Sequence, residues 1–485
     1  MPHPSHSRRP LVVAAIMLAI FMVAIEATIV ATAMPKIVGQ LGGFERYTWV
    51  FAAFLLAQTT TTVIYGKLAD LFGRRPVIVA GIVIFLVGSI LCGLATSMAA
   101  LIGFRLIQGL GAGAIQPVAM TIVGDLYPLE ERGRVQGLIS SVWAFSAVTG
   151  PLAGGLIVDN LSWAWIFWIN LPIGILTILG FVLFLRESVE RKRHRIDYEG
   201  AVLFSLAMVG LIVALTELNA APRLAGGAFA AAVIFFAVFL WQENRAAEPM
   251  VALSLWTRPL VAAGNTATLL ASMGLIGLTT ILPLYVQGVL GRSPLVAGFT
   301  LTALAVGWPL AATLSARFFR RLGLRGTLRL GGIILPVGAA GLLMLSTQSH
   351  PALAGTASFV MGFGMGLLSI TCIVLIQDSV DWSARGAATA SNVFARSLGN
   401  TLGASVLGAI LNLGIARYGG TEADRVWSAL ETPDGLSRAS TDPLLERVLD
   451  GALHWSFWGI FALAALALLA AWAVPVRAGP RVAPA

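Results

Sequence analysis

Polar residues divide the chain into long apolar runs joined by short charged loops. Fourteen runs reach spanning length, at about residues 11–34, 48–66, 77–96, 100–124, 136–158, 164–185, 199–218, 227–242, 260–286, 295–316, 330–347, 352–376, 391–412 and 452–474. A helix needs about 20 apolar residues to cross the hydrocarbon core, so each run predicts one membrane-spanning helix. The first run holds a single acid, Glu26. A carboxylate at that depth is costly and by default marks a functional site. A neutral, hydrogen-bonded structural acid is the plainer alternative. The fourth run buries Arg105 and Gln108. A guanidinium there needs an acidic or carbonyl partner. The first run climbs outward and the fourth descends. At 1.5 Å per residue, Glu26 and Arg105 then fall at similar depth in the outer half of the bilayer.

Charge fixes the orientation. With the amino terminus inside, 22 of the 32 Lys and Arg residues fall on inner segments and 8 on outer ones. That excess places both termini in the cytoplasm by the positive-inside rule. The longest outer loop is expected over 413–451, with a short amphipathic surface helix at 442–453. The chain has 485 residues, 57% of them hydrophobic and 11% charged. A soluble domain is about 25% charged, so this is an all-α polytopic membrane protein. The net charge of +9 sits in loops between apolar runs, which argues for a lipid partner and against nucleic acid. Cys92 and Cys372 lie inside apolar runs and the five histidines are scattered, so no disulfide framework, metal site or cofactor is expected. There is no Walker motif and no nucleophile–base arrangement, so the chain does not read as an enzyme. The Ala31-Thr32-Ala33 stretch could pass for a cleavage site, but its apolar run is too long and more runs follow.

The chain repeats itself. At an offset of 253 residues, Gly109, Gly111 and Gly113 fall on Gly362, Gly364 and Gly366, Asp125 on Asp378, Arg132 on Arg385 and Gly150 on Gly403. With a small gap, Gly73 falls on Gly323. The copies lie eight spans apart, so they share one orientation, as in parallel transporter repeats. Two six-helix bundles with two extra helices between them satisfy this. The expected divisions are 1–190, 191–258 and 259–485.

Four motifs carry a resemblance. FMVAIEATIVATAMP around Glu26 resembles the first-span motif of drug:proton antiporters in the major facilitator superfamily. GKLADLFGRRP, with Gly66, Asp70, Gly73, Arg74 and Arg75, resembles the superfamily's motif A. Its glycines suit close helix approach and a tight turn. Asp70 is placed to pair with Arg74 or to face a helix amino terminus. The second-half copy, ARFFRRLGLRG, is degenerate, with Arg320 at the Asp position and Leu324 at the first Arg. LIGFRLIQGLGAGAIQPV, around Arg105, is similar to motif B, which the family associates with proton coupling. AVTGPLAGG, with Gly150, Pro151, Gly154 and Gly155, resembles the antiporter motif C. Gly150-Pro151 is expected to break the helical ladder, and Gly154-Gly155 to thin the wall. WAWIFWINLPIGIL in the sixth run resembles the fourteen-span exporters, although Trp163, Trp165 and Trp168 also suit an interfacial belt.

The resemblance implies a major facilitator fold and proton-driven export of amphipathic cationic or neutral organic compounds across a bacterial inner membrane. It implies that motif A holds the outward-facing state with Asp125, Glu130, Glu131 and Arg132 of the next inner loop. Glu26, Arg105 and Gln108 become the coupling and substrate group. Asn170, Asn265, Asn392 and Arg396 are candidates for the cavity wall, with Pro172, Gln287 and Asn400 nearby. Small molecules, protons and lipid are the expected partners of a monomer, and a periplasmic adaptor protein is left open. Export of one metabolite, such as a lipid, peptide or siderophore, is a second transporter reading. A non-transporting receptor or scaffold is a reading of another class, but it leaves Glu26 and the repeat without a reason.

Overall fold

The computed structural model describes residues 9–475, apart from 128, 187–196, 219–220, 247–248, 250–252, 381–384, 431, 433–435 and 437–438. The terminal segments and much of the expected 190/191 division lie outside the described residues. The rest is helical: α1 (Arg9–Leu41), α2 (Trp49–Phe72), α3 (Arg74–Gly93), α4 (Met98–Leu126), α5 (Leu129–Asn160), α6 (Trp165–Trp168), α7 (Asn170–Phe184), α8 (Tyr198–Thr216), α9 (Pro222–Glu243), α10 (Leu253–Trp256), α11 (Pro259–Leu284), α12 (Pro294–Leu343), α13 (Pro351–Asp378), α14 (Arg385–Gly419), α15 (Ala423–Leu430) and α16 (Pro443–Trp472). A single π turn, Tyr285–Val289, extends α11.

Among the described residues, twelve helices are long and apolar enough to span. One of them, α12, has 50 residues and leaves helical geometry at Gly323 (φ 67°, ψ 173°). At about 1.5 Å per residue it is long enough for two crossings, matching the runs at 295–316 and 330–347. Gly73, between α2 and α3, has φ 97°. Both positions need a left-handed backbone that L side chains disfavour, so the repeat keeps glycine where each pair of spans reverses.

The repeat is also a packing repeat. In the first half, Gly109 and Gly113 of α4 admit the α2 backbone at Phe54 and Gln58, and Gly111 admits α3 at Phe85. In the second, Gly362 and Gly366 of α13 meet Leu304 and Trp308 before the Gly323 break, and Gly364 meets Leu335 after it. Likewise Gly150 of α5 meets α1 at Thr28, and its partner Gly403 of α14 meets α11 at Met273. Lipid cannot drive helices together as water does, so close small-residue contact carries much of the association.

At the end that the arginine distribution leads one to expect outside, called outer from here on, the halves touch. Tyr47 Oη donates to the Thr280 carbonyl at 2.9 Å, and Asn412 Nδ2 to that of Glu45 at 3.0 Å. Phe44 packs on Trp427, Gly155 on Leu295 and Gly408 on Thr48. Toward the other end α2 loses cover: Val50 to Phe54 are buried, whereas Thr61, Thr62, Ile64, Tyr65 and Gly66 are partly exposed. The inner end is thus the less enclosed one, where a cleft between the halves would open. α8 closes one flank of it, touching α2 through Ser205–Thr60 and α14 through Phe204–Phe394, while α9 packs on α8 through Phe239–Phe204.

Two sequence expectations need correction. The surface helix expected at 442–453 is the start of α16, where Leu445, Val448, Leu449, Ala452 and Leu453 are buried and continue the span. The outer loop is correspondingly shorter than 413–451, because α14 runs to Gly419, and its amphipathic helix is α15 instead. α5 runs on past Gly150-Pro151, over Leu129–Asn160. A proline costs a ladder bond without stopping a long packed helix.

Packing at these glycines should be testable one position at a time. A Cβ on Gly111 would lie 2.2 Å from the Phe85 nitrogen, while Gly103 on the same helix has nothing within 4 Å. Gly111→Val is expected to destabilise by about 1–3 kcal/mol or more. Gly103→Ala should be neutral or stabilise by up to about 1 kcal/mol through helix propensity. Thermal unfolding in detergent separates the two; equal midpoints would mean that the α3–α4 contact is not tight.

Candidate functional site

Glu26 sits in the middle of α1, and its hydrogen-bond partners come from two other helices, α4 and α7. Arg105 Nη1 donates to Glu26 Oε1 at 2.6 Å. Asn170 Nδ2, at the first position of α7, donates to Glu26 Oε2 at 2.6 Å. Arg105 Nη1 also lies 2.6 Å from Gln108 Oε1, and its Nε donates to the Val50 carbonyl at 3.1 Å. Gln108 Nε2 in turn donates to Ser89 Oγ of α3 at 2.8 Å. The guanidinium carbon stands 4.1 Å from the Phe54 ring centroid. Arg105 and Gln108 share a face because they are three residues apart on one helix.

The network is sealed. Glu26 is 0% exposed and Arg105 2%, with Gln108, Ser89 and Asn170 also buried. Both oxygens of Glu26 are occupied, and the pair is electrically neutral as a unit. Two charges removed from water persist only when their geometry is good and their remaining hydrogen-bond groups are met. The sequence put Glu26 and Arg105 at one depth. It did not reveal that Glu26 faces the interior of the first bundle rather than the cleft, nor the parts played by Ser89, Phe54 and the Val50 carbonyl. A small serine and a backbone oxygen carry no sequence signal of depth or direction.

The motif C glycines hold α1 in place. A Cβ at Gly150 would lie 1.9 Å from Thr28 Oγ1, and one at Gly154 3.1 Å from the Ile29 side chain. Thr28 Oγ1 donates to the Ser146 carbonyl of α5 at 3.3 Å. Gly155, one residue further along, faces Leu295 of α12 in the other half, where a Cβ would stand 3.2 Å from its Cα. α5 therefore joins the helix of Glu26 to the closed outer end. Lys36, at the outer end of α1, adds a hydrogen bond to the Val158 carbonyl of α5.

Motif A lies at the inner ends of α2 and α3. Arg74 Nε stands 3.0 Å from Asp125 Oδ2 at the end of α4. No atom lies within 4 Å of a Cβ built on Gly66, so close helix approach is not its role in this state. The side chains of Asp70, Glu130, Glu131, Arg132 and Pro151 lie outside the described residues. Arg75 is partly exposed beside Arg74.

The cavity candidates divide. Asn170 is spent on Glu26. Asn392 Nδ2 of α14 donates to Asn265 Oδ1 and Thr268 Oγ1 of α11, both at 3.0 Å, and Asn265 Nδ2 donates to Ser391 Oγ at 2.9 Å. These amides are buried in a helix–helix contact rather than open to the cleft. Gln287 is buried in the π turn. Arg396 and Asn400 remain partly exposed.

Comparison with known proteins agrees with this architecture. The family model of the Major Facilitator Superfamily matches residues 16–404. The chain is 32% identical over 479 residues to multidrug resistance protein 3 of Bacillus subtilis (strain 168), covering 95% of this chain and 93% of that one. It is 34% identical over 435 residues to the multidrug transporter protein MdtP of the same organism, covering 88% and 79%. Among solved structures, a bacterial homologue of the human lysosomal transporter Spinster, inward-facing and unoccupied, superposes with a TM-score of 0.68 at 16% identity, covering 97% of this chain and 98% of that one.

The sealed pair sets a stability test. Arg105→Met leaves Glu26 buried and uncompensated and should cost about 3–5 kcal/mol. Adding Glu26→Gln removes the stranded charge and should return most of that loss. Unfolding midpoints of the purified single and double variants decide the matter. A double variant no more stable than Arg105→Met would show that the two charges are not coupled.

Proposed function

Because the chain belongs to the major facilitator superfamily and is a membrane transporter rather than an enzyme, we propose that it exports amphipathic organic compounds across a bacterial inner membrane in exchange for protons. The observation that carries the reading is the enclosed Glu26–Arg105–Asn170 network, an ionisable carboxylate held on α1 at the junction with α4 and α7. The multidrug resistance and multidrug transporter names of the two Bacillus relatives support export of varied small molecules. With the termini read as cytoplasmic, the contacts between the halves at the outer end support an inward-open reading.

The chemistry follows from charge balance. Ionised Glu26 neutralises Arg105, and the pair is stable without water. A proton on Glu26 leaves the guanidinium with no counter-charge, which costs several kcal/mol in a low-dielectric site. That cost is relieved when α1 moves against α4 and α7 and readmits water. Gly150 and Gly154 tie α1 to α5, and Gly155 ties α5 to Leu295 at the outer closure. Protonation and outer opening are thereby linked through packed backbone rather than through a flexible loop. Substrate shifts the same equilibrium only as far as it binds the two states differently. Glu26 has no free oxygen here, so cationic and neutral compounds are selected by an apolar cleft rather than by a standing charge pair.

In proteoliposomes, Glu26→Gln is expected to abolish compound-coupled proton movement while the protein still elutes as a folded species. Purified wild-type protein should release protons on binding a cationic dye, and the variant should release none. Proton release by Glu26→Gln equal to wild type would move the coupling group elsewhere.

A further inference from the structure

Arg396 is the second arginine inside a membrane-spanning helix, and its surroundings are the reverse of those of Arg105. It lies eleven residues from the start of α14, about 16 Å into the bundle at 1.5 Å per residue. Its face is inward. Asn392, one turn before it, hydrogen-bonds α11. Gly399 and Gly403, on the same stripe, admit the α11 backbone at Leu269 and Met273. Thr389, seven residues back, receives a hydrogen bond from Gln377 of α13. Positions 389, 392, 396, 399 and 403 form one side of a helix, so Arg396 points between α11 and α13 and not to lipid. It is nonetheless partly exposed.

Its donors are uncommitted. Among the described residues, no hydrogen bond, ion pair or ring contact involves Arg396, nor the side chain of Asn400 one turn further. Arg105 shows what such a group requires at depth: a carboxylate, an amide oxygen, a backbone carbonyl and an aromatic face. The carboxylate of Glu26 is held in the other half and has no oxygen to spare. A guanidinium carries five N–H donors in a planar fork that matches a carboxylate in two parallel hydrogen bonds.

We infer that Arg396, with Asn400 beside it, docks an acidic group, a carboxylate or sulfonate, of amphipathic small molecules that enter the inward-open cleft. This rests on the export reading and widens it to acids and zwitterions. Their apolar body meets the cleft wall while their charge meets the only intramembrane cation that the protein leaves unneutralised among the described residues. The substrate then completes a network in the second bundle like the one Glu26 completes in the first.

The test is binding to the detergent-purified full chain of an aromatic carboxylic acid and its methyl ester, followed by tryptophan fluorescence. Wild type should bind the acid more tightly than the ester. Arg396→Gln should weaken the acid about tenfold or more and leave the ester unchanged, which also reports that the variant is folded. Arg396→Lys, keeping the charge without the fork, should fall between. Vesicles of anionic phospholipid, added as competitor, should not displace the acid; displacement would assign the site to lipid headgroups and overturn a small-molecule role. Equal affinity of wild type for acid and ester, or equal loss of both in Arg396→Gln, also overturns it. Export is judged separately: if ester binds but neither compound moves under a pH gradient in proteoliposomes, the transport reading fails instead.

Discussion

A guanidinium and a carboxylate buried away from water must satisfy each other and every remaining lone pair and proton, and the first bundle is built around that demand. Arg105 reaches Glu26, Gln108, the Val50 carbonyl and the Phe54 ring, while Asn170 and Ser89 complete the set. The six residues come from α1, α2, α3, α4 and α7. Any shift of one helix breaks a contact of a buried charge. Such a cluster is rigid while complete and strongly unfavourable while incomplete, which is the property of a two-state switch.

Glycine supplies the other half of the mechanics. In lipid, helix contact depends on how closely backbones approach. Gly109, Gly111 and Gly113 fix α4, and with it Arg105, against α2 and α3. Gly150 and Gly154 fix α1, and with it Glu26, against α5. The second half uses the same positions, Gly362, Gly364, Gly366 and Gly403, to assemble α11 to α14. It does so without an acid at its centre. In place of the ion pair stand the neutral amides Asn265 and Asn392 and the unpaired Arg396. The two bundles are alike in packing and unlike in charge: the first holds the paired Arg105, while among the described residues Arg396 of the second has no partner.

The location of the extra helices fits that division. α8 touches both α2 and α14 while α9 stays at the periphery, so the insertion seals a seam between halves and leaves the repeat intact.

The sequence by itself determined much of this. Apolar runs and loop arginines set the spans and their expected direction, because the bilayer imposes a length and a charge rule on each segment locally. The repeat was legible since glycine leaves no substitute where φ is positive, as at Gly73 and Gly323, or where backbones touch. The depth of Glu26 and Arg105 followed from counting residues along two helices. Direction around the helix axis did not follow. α1 has apolar residues on every side, so its sequence gives no phase. Only tertiary packing decided that Glu26 turns into the bundle, that the Asn392 amide is spent on Asn265 and Thr268, and that Arg396 has no partner among the described residues. Asp442 and Pro443 mark the start of α16 locally, but only burial of its first turns against neighbouring helices joins that segment to the span. Hydrogen bonds between helices depend on distances set by every contact at once, and no single stretch of sequence contains them.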